Sequence, residues 1–220
     1  MKTDILIVGG GTGGVAAALS AAARGKRVVL TEETDWVGGQ LTSQGVPPDE
    51  HPWIESFGCT ARYRLFRQRV RQYYQQFYPL RPEARANSRL NPGDGSVSRL
   101  CAEPSVYLSA LKSMMAYDVA RGMLEVRLRT RATAVEVDCD RIRSVRVLDM
   151  NTGREETIEA AYMLDATELG DLIEMAGVEY VSGAESQGQT GELHASAKAD
   201  AENVQALTWC FAMGYDPDGE

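Results

Sequence analysis

The chain has 220 residues, 23 Lys+Arg against 31 Asp+Glu for a formal net charge of −8, with 44% hydrophobic and 25% charged residues. This is a soluble globular composition, long enough for one sizeable core. The acidic balance disfavours holding a nucleic acid by bulk charge, and no run approaches the roughly 20 apolar residues of a membrane span.

Met1-Lys2-Thr3-Asp4 and the short apolar run behind it do not form a secretory signal. Ile5 to Val8 is continuous and apolar and ends in glycine, which predicts a strand buried on both faces of a parallel sheet. Gly13 to Arg24 predicts an alanine-rich helix that can pack close to a sheet, stopped by Gly25. Val28-Val29-Leu30 predicts the next buried strand and completes a right-handed βαβ unit. Glycine, proline and tryptophan over 34–60 predict an ordered loop, with Trp36, Trp53 and Trp209 expected in the core. A helix is expected over 60–78, with Leu65, Val70, Tyr73, Tyr74 and Phe77 as its apolar positions. Arg62, Arg64, Arg67, Arg69 and Arg71 spread over more than one face of it and read as a solvated surface.

Residues 79–99 read as loop, and Pro104 opens a helix that runs to about Arg121 and stops at Gly122. Leu124–Arg129, Thr133–Val137 and Ile142–Leu148 alternate apolar and polar residues, as antiparallel strands with one wet face do. Asn151-Thr152-Gly153 is a turn, and Tyr162-Met163-Leu164 is a buried run leading into Asp165-Ala166-Thr167-Glu168-Leu169-Gly170-Asp171. The remainder reads as loop with a short helix from Ala201. Cys59, Cys101, Cys139 and Cys210 are widely spaced without a C-x-x-C pair, which suits reduced thiols and a cytoplasmic location.

Gly9-Gly10-Gly11-Thr12-Gly13-Gly14 fits G-x-G-x-x-G at Gly9, Gly11 and Gly14, after a predicted strand and at the opening of a predicted helix. Gly9 allows the tight turn, Gly11 lets a pyrophosphate approach the backbone, and Gly14 lets helix and strand pack closely. The N–H groups and partial positive charge of the helix start suit the phosphates. Glu32, about 20 residues on, ends the second strand, where a carboxylate accepts hydrogen bonds from adenosine ribose and repels a 2′-phosphate.

These residues, with Gly38-Gly39 close behind, resemble the amino-terminal fingerprint of flavoproteins of the glutathione-reductase-like superfamily. The resemblance covers nearly the whole chain. Gly-Gly-Gln-Leu-Thr at 38–42 and Asp-Ala-Thr-Glu-x-Gly-Asp at 165–171 are similar to a poorly characterised bacterial branch of FAD-dependent oxidoreductases. It implies an α/β fold: a Rossmann-like FAD-binding domain, a parallel sheet with helices, carrying an inserted antiparallel β-meander. The implied parts are a dinucleotide-binding βαβ unit at 1–45, a helical and loop insertion at 46–122, a β-meander and return strand at 123–170, and the start of a substrate-side region at 171–220. It implies FAD contacts from Gly9, Gly11, Thr12, Gly13, Gly14, Glu32, Glu33, Gly38, Gly39 and Gln40, an adenine contact near Ala132, and contacts from Ala166 and Thr167 on the return strand. Glu168 stands where that strand usually has glycine. The downstream Gly-Asp segment that closes over the flavin in such proteins is not found, so an amino-terminal part of a longer enzyme is expected.

The activity so implied is hydride transfer between a small organic substrate and flavin, with a separate electron acceptor; neither partner is specified, and catalytic residues stay unassigned. An NAD-binding oxidoreductase, or a non-catalytic nucleotide-binding module, remains an alternative. Leu41, Thr42 and Ser43 could reach flavin or ribityl. Cys59 at a helix start could be redox-active, and His51 and His194 could donate protons, although inert or surface roles compete. Glu168 and Asp171 could line the cofactor crevice or cap a helix. No metal cluster, G-x-S-x-G, H-E-x-x-H or Walker pattern is read in the chain.

Overall fold

The computed structural model describes residues 1–207, 209 and 210. In chain order it contains β1 (Lys2–Val8), α1 (Thr12–Ala22), β2 (Val28–Thr31), a 3-10 turn (Gly39–Leu41), α2 (Ala61–Phe77), α3 (Pro82–Ala86) and α4 (Pro104–Ala120). These are followed by β3 (Leu124–Arg127), β4 (Thr130–Asp138), β5 (Arg141–Asp149), β6 (Glu155–Asp165), α5 (Asp171–Met175) and α6 (Gln187–Thr190). The strands form a six-stranded sheet in the order β3-β2-β1-β6-β5-β4. β1 pairs in parallel with β2 and β6, β2 pairs in parallel with β3, and β5 runs antiparallel to β4 and β6. The architecture is the expected α/β Rossmann-like sheet with a β-meander on one side.

The apolar runs of β1 and β2 have the two-sided burial their sequence predicts. Ile7, Val28 and Leu30 pack under α1, α2 and α4 together with Val15, Leu19, Val70, Tyr107 and Leu111. Leu6, Val8 and Val29 face the other way, into a second cluster with Val145, Val147, Ile158 and Leu172. Arg127 of β3 bonds Glu156 of β6 at 2.8 Å although β2 and β1 lie between them in the sheet order. The meander therefore curls over this second face.

Several expectations are corrected. Leu124–Arg127 is a parallel strand beside β2, not the first antiparallel one; its alternation reflects an edge position with one neighbour. Tyr162 is exposed, because β5 leaves β6 at Glu159 and the second half of β6 forms an open edge. A short helix, α3, interrupts the loop predicted over 79–99, begun by Pro82 in the first turn, where a missing N–H costs nothing. No helix begins at Ala201 within 201–207: Ala184 and Asp200 exchange two backbone hydrogen bonds of 2.8 Å, and the chain turns there.

The arginines of α2 bring the largest correction. Its buried stripe is Phe66, Val70 and Tyr74, while Leu65 and Phe77 are exposed. Arg67 and Arg71 are buried with it. Arg67 is paired with Glu50 and Glu55; Arg71 reaches Glu55 at 2.6 Å and the Leu90 carbonyl at 2.8 Å. Arg62 donates to Ser20 of α1 at 3.0 Å, and Arg69 donates to Ser113 of α4. The stripe ties α2 to its neighbours rather than facing solvent. Burial by itself would raise the Glu55 carboxyl, but the hydrogen bond from Arg71 and the charges of Arg67 and Arg71 outweigh it and hold the carboxyl below its ordinary value.

Trp36, Trp53 and Trp209 are exposed rather than in the core. Trp53 instead stacks with Phe57, ring centroids 6.1 Å apart, on a loop clasped by His51.

Candidate functional site

The site is built by register. β1, β2 and β6 stop in step, with Val8 opposite both Thr31 and Asp165, so the segments that follow all leave at one edge of the sheet. These are the glycine-rich turn, Glu32 to Thr34, and Ala166 to Asp171. In an open parallel sheet this edge, outside the carboxyl ends of the strands, is where ligands bind.

The glycines divide the work between them. Gly9 has φ +102, and a Cβ there would run into the Ala166 carbonyl, so a side chain would pry β1 from β6. A Cβ on Gly14 would strike the Gly9 carbonyl, so Gly14 seats α1 against the turn. Gly11 is different. Its backbone is ordinary, and a Cβ would approach only a side-chain oxygen of Glu168, at 3.2 Å. Gly11 is bare towards the cavity, not for the fold. Among the described residues no side chain caps α1, whose first N–H groups are left open at the same edge.

Gly38 donates from its N–H to the Gly10 carbonyl at 2.8 Å, and the Thr12 hydroxyl donates to the Gly38 carbonyl at 3.0 Å. The Gly-Gly doublet thus clamps the glycine-rich turn from above. Glu32 is buried, and its two carboxylate oxygens accept from the N–H groups of Gly10 and Thr34, each at 2.8 Å. An ionised carboxylate has about four acceptor sites, so this fixes its direction and leaves capacity for further donors.

A cavity of about 520 Å³ opens at this edge, lined by Gly9, Gly11, Glu32, Glu33, Gly39, Ala132, Ala166 and Thr167 among the residues singled out from sequence. Ser43, Glu168 and Asp171, weighed as candidates, also line it. Thr12, Gly13, Gly14, Gly38 and Gln40 do not line it: Thr12 and Gly38 act through the clamp, Gly14 through packing, and Gly13 and Gln40 lie exposed beside it. Leu41 and Thr42 are buried; the Thr42 hydroxyl donates to the Val37 carbonyl at 2.8 Å. Cys59, His51 and His194 are absent from the lining.

Sequence reasoning missed Thr31, Thr34, Gln44, Thr130 and Arg131, which also line the cavity. It also missed Asp165 as an organiser. The Asp165 carboxylate accepts from the Thr167 N–H and hydroxyl at 3.0 and 2.7 Å, and from the N–H groups of Leu172 and Ile173 at 2.9 and 3.1 Å. One side chain therefore shapes the loop and starts α5. The signal was available: an aspartate directly before a loop that opens a helix.

The residues fit the adenosine-diphosphate end of a dinucleotide. Gly11 leaves backbone open where a phosphate would lie, and the uncapped α1 supplies N–H groups and a partial positive charge. The buried hydroxyl of Thr31 lines the cavity without a hydrogen-bond partner among the described residues. Glu32 is held in one orientation beside it. Among the described residues, no group of three or more His, Cys, Asp or Glu could hold a metal ion, and no helix is long and apolar enough to cross a membrane.

A family model described as FAD dependent oxidoreductase matches residues 4–219. The chain is similar to N,N-dimethylglycine/sarcosine dehydrogenase of Chromohalobacter salexigens, 41% identical over 64 residues, or 29% of this chain and 9% of that protein. It is similar to hydroxyneurosporene desaturase of Rhodobacter capsulatus, 41% identical over 56 residues, or 24% of this chain and 11% of that protein. Among solved structures, the glycerol-3-phosphate dehydrogenase from Bacillus halodurans, complexed with FAD, overlays with a TM-score of 0.49 at 18% identity, over 79% of this chain and 36% of that one.

Proposed function

The chain belongs to the FAD dependent oxidoreductase family, and from that premise we propose that its cavity holds the adenosine-diphosphate half of FAD for hydride exchange with a small organic substrate. One observation supports this more than any other. A bare Gly11 and an uncapped helix start meet an oriented, buried glutamate at the level ends of β1, β2 and β6.

In this reading the N–H groups at the start of α1 bind the diphosphate. Gly9 and Gly14 keep the turn tight enough to present them. Glu32 uses its remaining acceptor capacity on the adenosine ribose. Ala132, at the start of the meander, closes the adenine side, and Ala166 and Thr167 close the diphosphate side. Asp165 and the Gly38 clamp are positioning groups, because they act through the backbone of those loops. Bound there, the flavin supplies the hydride chemistry, and the protein supplies binding, orientation and exclusion of water.

The domain reading follows: a dinucleotide-binding unit at 1–45, a helical and loop region at 46–122, meander and return strand at 123–170, and a substrate-side region from 171. A small organic substrate and a separate electron acceptor complete the reaction. The free thiols of Cys59, Cys101 and Cys139 suit a cytoplasmic setting.

Calorimetric titration of the 220-residue chain with FAD and with NAD tests the proposal. Saturable FAD binding, with the visible absorbance of bound oxidised flavin, is the expected result. Binding of NAD but not FAD would overturn it. Reduction of a dye acceptor by the FAD-loaded chain supplied with a small organic hydride donor, the donor being oxidised as the dye is reduced, would exclude a purely binding role.

A further inference from the structure

Resting on the diphosphate seat assigned above, we propose that Glu168 is a charge gate on that seat: its carboxylate and a phosphate group compete for one place. The geometry comes from the two glycines. A Cβ built on Gly11 would stand 3.2 Å from Oε1 of Glu168, and one built on Gly39 would stand 2.9 Å from the same oxygen. That second Cβ would also lie 3.1 Å from the Gly11 Cα. Two loops therefore approach each other bare, and one carboxylate oxygen sits in the gap that their missing side chains create. This gap lies at the start of α1, where the partial positive charge favours an anion.

Glu168 is exposed, and it has no hydrogen-bond or ion-pair partner among the described residues. It can leave the gap by rotating its own side chain, with no change in the sheet. It is therefore a gate and not a plug. The other charged groups that line the cavity are Glu32 and Glu33 after β2, Asp171 at the start of α5, and Arg131 on β4. Among the described residues Arg131 is the one cation in this lining, and it is not paired with Glu168. A diphosphate thus enters against a net negative wall, and of these groups Glu168 is the one within 4 Å of a Cβ built on Gly11. The repulsion weakens binding of ligands that bring phosphate to this point, so Glu168 discriminates between phosphate-bearing nucleotides and an uncharged nucleoside.

The test is calorimetric affinity for adenosine, ADP and FAD, measured on the full chain and on Glu168→Gln and Glu168→Ala. Both variants should bind ADP and FAD on the order of tenfold more tightly, the scale of one screened unit-charge repulsion at contact distance, while adenosine affinity stays the same. Unchanged or weaker ADP binding would overturn the gate. An equal gain for adenosine and ADP would overturn it too, because it would mean a general change in the loop. Gly11→Val separates this failure from failure of the seat: loss of ADP binding in that variant keeps the seat even if Glu168 proves neutral. Absence of ADP binding from every protein would remove seat and gate together.

Discussion

The edge of the parallel sheet and the loop beneath α2 handle polar groups in opposite ways. Under α2, four charged side chains, Arg67, Arg71, Glu50 and Glu55, are drawn inward and paired with one another. At the sheet edge, the N–H groups of an uncapped helix surround a cavity with the Thr31 hydroxyl and the Glu168 carboxylate, both without a partner among the described residues. Satisfied polar groups hold a structure together, whereas unsatisfied ones around a concave surface are available to a ligand. Five arginines on one helix catch the eye in the sequence, yet the bare glycine carries the functional reading.

The sharpest way to break this contrast is to fill the bare position. Gly11→Val should abolish measurable FAD binding, and it should leave the melting temperature nearly unchanged, because a Cβ there meets within 4 Å a movable glutamate side chain and no backbone. Calorimetry and a thermal melt read both; retained affinity in the folded variant would contradict the assigned seat. The converse experiment is Arg67→Met. It strands Glu50 in a buried position and should cost about 3–5 kcal/mol of stability, the scale of breaking a buried ion pair. Urea unfolding would read it, and the fraction that stays folded should bind FAD as before.

Glu32→Ala lies between the two regions in character, because Glu32 is both buried and oriented toward the cavity. Loss of a charged hydrogen bond to ribose should weaken adenosine binding by about 1.5–3 kcal/mol, and the turn should loosen as Gly10 and Thr34 lose their acceptor. An unaffected adenosine dissociation constant would remove the ribose role.

The smallest effect concerns pH. Glu55 is held below its ordinary value of 4.5 when folded, so its contribution is present above that value and is lost as pH falls through the lowered folded one. Unfolding followed from pH 6 downward should show Glu55→Gln losing less stability on acidification than the parent. Parallel curves would mean that the cluster contributes no acid sensitivity.

What the sequence revealed depended on whether the signal was local. The βαβ unit was legible because continuous apolar runs, an alanine-rich helix and glycine punctuation each act within a few residues. The glycine-rich turn and the strand-ending Glu32 were legible for the same reason. The buried arginines were not legible, because their partners come from a proline-rich loop with no period of its own, and helical spacing alone says nothing of what a loop will place against it. Leu124–Arg127 was assigned the wrong neighbour because an alternating strand reads alike at a parallel edge and in a meander. Asp165 was legible only in part: an aspartate before a helix-opening loop is a local signal, but its four donors lie two to eight residues ahead, on backbone that the sequence does not position.

The most direct measurement of the central claim is a crystal structure of the chain grown with FAD. The diphosphate is expected against the N–H groups at the start of α1, beside Gly11, with the adenosine ribose in hydrogen-bond reach of Glu32. A diphosphate bound elsewhere on the molecule, with the Gly11 turn covered by protein side chains, would contradict it.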